Sequence, residues 1–169
     1  MKFSKPKVIK AKLFRDSRGS LQEIFKDKFK KFNCKFSLLV KSKKNVFRGL
    51  HFQKKRQQNK ILIVAQGKIS DFCLDLRKKS PSFGKIFKFT INKNSILYIP
   101  KGFAHGYKSL KDNTILIYIL SELRFKKFER TIDPFEKQFK IDLNKRTILS
   151  KKDKKGMSLE YFKKNIKTL

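Results

Sequence analysis

Residues 46–53 of the chain read VFRGLHFQ, an apolar start followed by a glycine and then by a histidine between apolar neighbours. Residues 99–107, IPKGFAHGY, repeat this order. The chain has only two histidines, His51 and His105, and each stretch holds one of them. Because histidine titrates near neutral pH and is the commonest general acid or base, this pattern indicates a functional site. Two structural histidines are the alternative.

Short apolar segments surround the two histidine stretches and predict strands. In residues 69–76, Phe72, Leu74 and Leu76 alternate with Asp71, Cys73 and Asp75, which is the period of two that indicates a strand. The segments expected as strands are residues 7–14, 34–42, 46–53, 60–65, 69–76, 86–91, 96–99, 106–110 and 114–120. Turn residues separate them at close intervals, and no strand alternates with a long helix. The predicted fold is therefore mainly β, an antiparallel sandwich or barrel.

Two segments predict short helices by their apolar spacing. Residues 21–32 carry apolar side chains at a spacing that suits an amphipathic helix. Near the C-terminus, Leu159 and Phe162 fall at helical spacing within residues 157–166, and Ser158 stands just before them. Serine is a preferred N-cap, so we expect a C-terminal helix that begins after Ser158.

The length indicates one domain, residues 1–169, with a barrel core at roughly 36–120 and a helical appendage at roughly 145–169. No stretch approaches the roughly 18 apolar residues of a membrane span, and residues 1–6 are not followed by the apolar region of a secretory signal. We therefore expect a cytoplasmic protein without a membrane partner.

The charge is strongly basic, with 45 lysines and arginines against 13 acidic residues and a net charge of +32. Such a charge suggests nucleic acid or another anionic partner. However, 37 of the basic residues are lysines, only 8 are arginines, and they are spread along the chain. Base and phosphate readout favour the bidentate arginine fork, so the composition argues against a dedicated nucleic-acid-binding protein.

The spacing Pro100-x-Gly102-x-x-His105 resembles the second sequence box of the cupin barrels, many of which bind a metal through three histidines and a carboxylate. This chain has no third histidine and no HxH pair, and its two cysteines form no CxxC motif. A transition-metal site normally has three or four nitrogen, sulfur or oxygen ligands. The sequence therefore predicts a cupin without a metal.

Most of the chain resembles a narrower family, the dTDP-4-dehydrorhamnose 3,5-epimerases, which act on sugar nucleotides in rhamnose biosynthesis. The most specific matches are RGLHFQ at residues 48–53 and IPKGFAHG at residues 99–106. Further matches, in the family's order, are RDSRG at 15–19, Glu23 and Phe25, Lys60, Gly67, Asp71, DLR at 75–77, SP at 80–81, FG at 83–84 and LSKKD at 149–153. The resemblance implies a cupin-type antiparallel β-barrel (jelly roll) with short helices, including a C-terminal helix.

The resemblance also implies a role for individual residues. His51 is the implied general base, and Asp153 is implied to orient it. The implied general acid is Tyr118, thirteen positions after the second histidine, and Lys60 is implied to lie near the sugar. Implied nucleotide or sugar contacts are Arg18, Glu23, Arg48, His105 and Glu129. A nucleotide-sugar substrate, a homodimer, and the absence of a metal or organic cofactor are implied as well.

These side chains suit proton transfer at carbon. A 4-keto sugar has acidified C–H bonds at C3 and C5, and a base that titrates near neutral pH can remove such a proton. An aspartate paired with the histidine holds its tautomer and stabilises the imidazolium. The resulting enolate needs a positive group near O4, which Lys60 can supply, and an acid on the opposite face of the ring inverts the carbon.

The sequence departs from the family at three places. The strand before RGLH usually carries polar ligand contacts, but residues 36–40 read FSLLV here. Where the family has a pair of aromatic residues, this chain has Leu123 and Arg124. The chain also lacks the tryptophans of the family's later segment, since it has no tryptophan at all. These departures leave open the exact nucleotide sugar and whether C3, C5 or both are inverted. The alternatives are a non-catalytic or single-centre sugar-nucleotide-binding cupin and, less favoured, a basic nucleic-acid-binding barrel.

Overall fold

Antiparallel strands make up most of the fold. The computed structural model describes residues 4–24, 32–93 and 95–166, and twelve strands form within them. They are β1 (Lys7–Lys10), β2 (Lys12–Asp16), β3 (Gly19–Glu23), β4 (Phe36–Ser42), β5 (Phe47–Gln53), β6 (Lys60–Gln66), β7 (Lys68–Asp75), β8 (Ile86–Asn92), β9 (Ser95–Ile99), β10 (Phe103–Ser109), β11 (Thr114–Leu120) and β12 (Glu129–Thr131).

The strands form two five-stranded sheets that face each other. The first sheet has the order β1-β9-β6-β11-β4, and the second has the order β12-β5-β10-β7-β8. Every pairing in both sheets is antiparallel, and β2 and β3 form a separate hairpin. The expected mainly-β jelly roll is confirmed, although the described strands form two sheets and not one closed ring.

The space between the sheets is filled by alternating side chains. On β6, Leu62 and Val64 point into this space and are fully buried, while Ile61 and Ile63 are buried on the outer face. From the second sheet, Ile69 and other apolar residues pack against the first. Burying a side chain of this size contributes roughly 1.5–3 kcal/mol, so the period of two specifies which face of each strand turns inward.

The C-terminal segment covers the outer face of the second sheet. Its helix, α1 (Leu159–Asn165), begins after Ser158, whose hydroxyl accepts a hydrogen bond from the backbone N–H of Tyr161 at 3.0 Å. The helix buries Phe162, which packs edge-to-face against Phe52 of β5 with 5.5 Å between ring centroids. The predicted cap and helix are therefore confirmed. Within the described ranges no helix has the length and apolar character needed to cross a membrane.

A bulge in β5 decides which of its side chains face the interior. His51 lies opposite His105 of β10 and Arg48 lies opposite Tyr107, so three steps along β5 match two steps along β10. In a regular strand, positions three apart point to opposite faces. The extra residue in β5 instead lets Arg48 and His51 both face the space between the sheets.

Two sequence-based predictions about secondary structure need correction. The helix expected at residues 21–32 is wrong at its start, because residues 21–23 belong to β3; residues 25–31 lie outside the described part. Leu21 is 64% exposed, so its place in the apolar spacing does not reflect a buried helical face. The expected strand at residues 7–14 is divided at Ala11 into β1, which joins the first sheet, and β2, which joins the hairpin.

Two further differences concern the site strands. β10 begins at Phe103, three residues before the expected start, so His105 lies within the strand and not just before it. Strand β12 was not expected, because three residues reading ERT carry no apolar alternation. It forms because β5 offers a pairing edge to Glu129–Thr131.

We predict that Gly49→Ala destabilises the protein more than Gly19→Ala. Both glycines have positive φ, +145° and +133°, so alanine is strained at either position by about 1–3 kcal/mol. Only at Gly49 would the new Cβ also meet backbone, 2.4 Å from the Cα of Gly106, whereas a Cβ at Gly19 has no described heavy atom within 4 Å. Overpacking adds about 1–3 kcal/mol. Urea denaturation of both variants measures the difference; equal losses would contradict the crowding.

Candidate active site

Strands β5 and β10, which carry His51 and His105, border a cavity between the two sheets. Its volume is about 340 Å³, within the range of ligand pockets. Both sheets and the segment before α1 contribute to it. The lining residues are Phe36, Leu38, Val40, Arg48, His51, Gln58, Lys60, His105, Tyr107, Tyr118, Leu120, Arg124, Glu129, Ser150, Lys152 and Asp153.

His51 forms a short hydrogen bond with Asp153 inside this cavity. The distance from His51 Nε2 to Asp153 Oδ1 is 2.5 Å; the histidine side chain is 33% exposed and the aspartate side chain 5%. Burial acts to raise the pKa of Asp153. The pKa is nevertheless lowered, because the hydrogen bond and charge interaction with His51, together with the hydrogen bond from Ser150, outweigh the effect of burial. The pair is thus an imidazole that remains accessible and is held by a buried carboxylate.

The chain reaches Asp153 through a segment that is fixed to the second sheet. Ile148 forms a parallel bridge with Val46 just before β5. The Ser150 hydroxyl donates to Asp153 Oδ2 at 2.9 Å and accepts from the Asp153 backbone N–H at 3.1 Å. The sequence LSKKD therefore forms a tight turn that aims the carboxylate at His51.

His105 belongs to a second and more deeply buried pair. Its Nε2 lies 2.7 Å from Asp71 Oδ2, and the side chains are 4% and 0% exposed. Burial lowers the pKa of His105, and its hydrogen bond and charge interaction with Asp71 offset this only in part. Asp71 was matched in the sequence without a role, and only the register of β7 against β10 reveals that it holds this histidine.

Tyr118 reaches the cavity from the opposite sheet. It lies on β11, and its ring packs edge-on against the ring of His105 with 5.9 Å between centroids. Burial, reinforced by nearby acidic groups, raises the pKa of Tyr118 well above its usual value. Among the described residues, none forms a hydrogen bond with its hydroxyl. The hydroxyl is therefore a protonated donor for which no described residue serves as the acceptor.

Lys60 opens β6 and lines the same cavity. Burial lowers its pKa to about 8, although the charges of Cys73, Asp71 and Glu129 act in the opposite direction. No described residue forms a hydrogen bond or an ion pair with its ammonium group. At neutral pH the lysine is thus mostly charged and free to interact with a ligand.

Charged residues surround the mouth of the cavity. Glu129 of β12 pairs with Arg124, 2.6 Å from its Nε, and with Lys152, 2.9 Å from its Nζ. Burial acts to raise the pKa of Glu129, but hydrogen bonds and charge from these two cations outweigh it and lower the pKa to about 2. Sequence reasoning missed Arg124 and Lys152, because a lysine-rich chain gives no local signal for which cations face a site.

Arg48 also lines the cavity, and a hydrogen bond to Ser42 holds its side chain in place. Its Nε donates to the Ser42 hydroxyl at 3.3 Å, and that hydroxyl lies 2.8 Å from the Tyr107 hydroxyl. The guanidinium therefore has a defined position while most of its donors stay available for an anion.

Arg18 and Glu23 do not line the cavity of their own chain. Both lie on the β2–β3 hairpin, where the Arg18 side chain is 89% exposed and pairs with Asp16 at 2.7 Å. Of the nine predicted site residues, the structure thus brings seven together: His51, Tyr118, Asp153, Lys60, Arg48, His105 and Glu129.

The described residues contain one group of potential metal ligands, formed by Asp71, Cys73 and His105. All three are buried, and Asp71 already pairs with His105 and accepts a hydrogen bond from the Cys73 thiol at 3.4 Å. Burial raises the pKa of Cys73 well above its usual value, which disfavours the thiolate that would bind a metal. This chemistry fits a hydrogen-bonded core group better than a metal centre.

The chain matches known proteins over almost its full length. A family model described as dTDP-4-dehydrorhamnose 3,5-epimerase matches residues 1–161. A Shigella flexneri relative of that name is 33% identical, with 92% of this chain and 93% of the relative covered. A Neisseria gonorrhoeae relative of that name is 37% identical over 66% of this chain, and the match spans only 36% of that longer protein.

Solved structures agree with these relatives. The Sulfolobus tokodaii dTDP-4-dehydrorhamnose 3,5-epimerase is 38% identical with a TM-score of 0.82, and 92% of this chain and 90% of that chain are covered. A Legionella pneumophila 3,5-epimerase, solved in complex with dTDP-4-keto-L-rhamnose, is 29% identical with a TM-score of 0.87; the match covers 95% of this chain and 90% of the other.

We predict that Glu129→Gln lowers stability at neutral pH and progressively less as the pH falls towards about 2. The pKa of Glu129 is lowered in the folded state, so its contribution is present above pH 4.5 and is lost as the pH falls towards about 2. The shift corresponds to about 3 kcal/mol without solvent, which partial exposure reduces to about 1–2 kcal/mol.

Urea denaturation at pH 7, 5 and 3 measures this effect. The matched control is Glu160→Gln on α1, whose ion pair with Lys164 is exposed and should matter little. A Glu129→Gln deficit that is unchanged at pH 3 would show that the residue stabilises by packing and not by charge.

Proposed function

Since the chain belongs to the dTDP-4-dehydrorhamnose 3,5-epimerase family, we propose that it epimerises a dTDP-4-keto-6-deoxyhexose at C3, at C5 or at both. The reaction is proton abstraction next to the 4-keto group followed by reprotonation from the other face. The observation that carries the proposal is the His51–Asp153 pair, which faces the same cavity as Tyr118 on the opposite sheet. The ligand of the Legionella relative, dTDP-4-keto-L-rhamnose, has the chemistry of the expected product.

His51 is the proposed general base. It is the more accessible of the two histidines, and Asp153 accepts its Nε2 proton, which leaves Nδ1 to take a proton from carbon. The buried carboxylate then stabilises the imidazolium, as in other aspartate–histidine pairs. His105, buried and held by Asp71, is instead proposed to contact the substrate as a neutral hydrogen-bonding group.

Tyr118 is the proposed general acid. Its raised pKa keeps the phenol protonated at neutral pH, and its hydroxyl has no hydrogen-bond partner among the described residues. A base on one sheet and an acid on the other act on opposite faces of a ring held between them. Delivery of a proton to the face opposite His51 inverts the carbon.

Lys60 is proposed to stabilise the enolate. Deprotonation at C3 or C5 moves negative charge onto O4, and a charged ammonium in a buried site stabilises such charge more than it would in water. Its pKa of about 8 keeps it mostly protonated at neutral pH. The free donors of Arg48 and the cations beside Glu129 are proposed to hold the diphosphate and the sugar.

We further propose a homodimer in which Arg18 and Glu23 contact the nucleotide bound to the partner. Both residues lie on the β2–β3 hairpin and do not line their own cavity, so a contact role requires that a second copy receive this hairpin. We also propose that residues 1–169 form one domain, with a core at about 36–120 and a C-terminal appendage at about 145–169. The protein is proposed to be cytoplasmic and to need no metal or organic cofactor. Its proposed role is to supply dTDP-rhamnose for lipopolysaccharide O-antigen.

We predict that His51→Ala removes solvent exchange at carbon while the protein stays folded. The protein is incubated in heavy water with dTDP-4-keto-6-deoxyglucose, and NMR follows deuterium at C3 and C5. The rate should fall at least about 10²-fold, because a positioned base contributes that much or more. Exchange at one position means a single-centre epimerase. A folded and active His51→Ala variant would refute the assignment of the base.

We predict that the Tyr118→Phe variant still abstracts the proton next to the keto group but no longer inverts the carbon. His51 can still remove and return a proton on its own face, so deuterium should enter without formation of the epimer. The matched control is Tyr161→Phe on α1, which is 54% exposed and outside the cavity. Normal epimer formation by Tyr118→Phe would exclude this tyrosine as the acid.

We predict that two inactive variants restore each other if the hairpin acts across the dimer. Arg18→Ala and His51→Ala each lose activity, but a mixed dimer has one site with both residues intact. Random mixing by co-expression should restore roughly a quarter of the wild-type activity, since half of the dimers are mixed and each has one working site. No recovery would mean that Arg18 does not act across the dimer.

A further inference from the structure

The two histidine–aspartate pairs share one plan. In each pair, one carboxylate oxygen lies close to the histidine Nε2, and the other oxygen accepts a hydrogen bond from a small side chain nearby in the sequence. For Asp153 this side chain is Ser150, whose hydroxyl donates to Oδ2 at 2.9 Å. For Asp71 it is Cys73, whose thiol donates to Oδ1 at 3.4 Å. The thiol of Cys73 thus occupies the place that the hydroxyl of Ser150 has in the first pair.

Strand register brings this thiol next to His105. Asp71 and Cys73 are two positions apart on β7, so their side chains lie on the same face of the strand. On the neighbouring strand β10, His105 is paired with Cys73, and Tyr107 is paired with Asp71. The carboxylate of Asp71 therefore accepts from the thiol on its own strand and, at 2.7 Å, contacts the imidazole on the next strand.

Burial makes the thiol important to Asp71. The aspartate is fully buried, and it does not line the cavity, so a ligand in the cavity does not supply a donor to it. Among the described residues, only His105 and Cys73 form hydrogen bonds with its carboxylate. A buried acceptor that loses its partner is not compensated by water, and the cost is larger when the acceptor is charged.

The orientation of Asp71 decides what His105 offers to the cavity. Burial lowers the pKa of His105, so its imidazole is neutral at physiological pH and carries one proton. When that proton is on Nε2 and is donated to Asp71, Nδ1 becomes an acceptor. His105 lines the cavity, and a fixed ring presents this acceptor in one direction.

We infer that Cys73 is a positioning residue for His105. Its thiol holds Oδ1 of Asp71, and Asp71 in turn fixes the imidazole with Nδ1 available to the substrate. The binding role of His105 rests on the proposed function, whereas the two hydrogen bonds do not depend on it. Cys73 acts here only as a hydrogen-bond donor and undergoes no covalent or redox step.

A role in packing alone predicts the opposite response to substitution. Buried cysteine commonly serves as a small apolar side chain. In that role valine, which is apolar and of similar size, replaces it better than serine, which buries a hydroxyl. If the thiol is needed as a donor, serine is the better replacement, because its hydroxyl can donate to Asp71 as Ser150 donates to Asp153. Valine leaves Oδ1 without this donor.

The first test compares Cys73→Val with Cys73→Ser in the full-length protein. Deuterium incorporation into dTDP-4-keto-6-deoxyglucose measures kcat/KM, and urea denaturation checks that each variant is folded. Cys73→Val should lower kcat/KM about two- to tenfold, the effect of one lost hydrogen bond, while Cys73→Ser should stay within about twofold of the wild type. Cys73→Ala also removes the donor without adding volume, so it should behave like Cys73→Val.

The matched control makes the same two substitutions at Cys34, which is the exposed cysteine of the chain. Cys34→Val and Cys34→Ser should not differ in kcat/KM. If valine or alanine at position 73 performs as well as serine, the inference is overturned and the epimerase function is left intact.

The second test needs no substrate and therefore separates this inference from the proposed function. The chain has only two histidines, so the ¹⁵N NMR signals of His105 are those that remain in His51→Ala. At neutral pH the ring proton of His105 should be on Nε2, and its exchange with water should be roughly two- to tenfold faster in Cys73→Val than in Cys73→Ser. A proton on Nδ1, or equal exchange in the two variants, would overturn the inference even if the wild type epimerises its substrate. Absence of deuterium incorporation by the wild type would overturn the proposed function alone.

Discussion

The close approach of the paired strands β5 and β10 is the constraint on which the site depends. The two strands approach so closely at Gly49 and Gly106 that a single added Cβ would lie 2.4 Å from backbone. At the same place β5 carries one extra residue relative to its partner. The bulge turns Arg48 and His51 to the same face, and without it one of them would point into the apolar layer beneath the C-terminal segment.

The two histidine–aspartate pairs differ in burial, and this difference separates their chemistry. Both have short contacts, 2.5 Å for His51 with Asp153 and 2.7 Å for His105 with Asp71. His51 keeps a third of its surface exposed, while His105 is almost fully enclosed and has a lowered pKa. An accessible imidazole can exchange protons with a ligand, whereas an enclosed neutral one is better suited to hold a ligand in place.

The large positive charge is used selectively at the cavity. Among the lysines of the described residues, Lys60 is the one whose burial lowers its pKa to about 8, and Lys152 is fixed by Glu129. The remaining charge raises the local concentration of anionic ligands without recognising a particular one. Against this basic background, Phe36, Leu38 and Val40 of β4 give the cavity an apolar side.

The sequence alone determined the class of fold and most of the proposed site. Alternation with a period of two identified most strands, because each strand of a two-layer β fold must bury one face. The RGLH and LSKKD motifs pointed to His51 and Asp153, and Ser158 was correctly predicted to cap α1. The apolar spacing at residues 21–32 was misleading, because its first residues pair with β2 and remain exposed.

Only the tertiary structure decided which residues meet. Asp71 and His105 are 34 positions apart, and Arg124, Glu129 and Lys152 come from three different segments. Their contacts depend on strand register, on the bulge in β5 and on the return of the chain after β12, none of which leaves a local pattern. The sequence therefore identified residues such as His51 and Ser158, whose amino-acid type and local motif already indicate their role. Only the fold identified residues such as Asp71 and Lys152, because their role depends on burial and on partners that are distant in the chain.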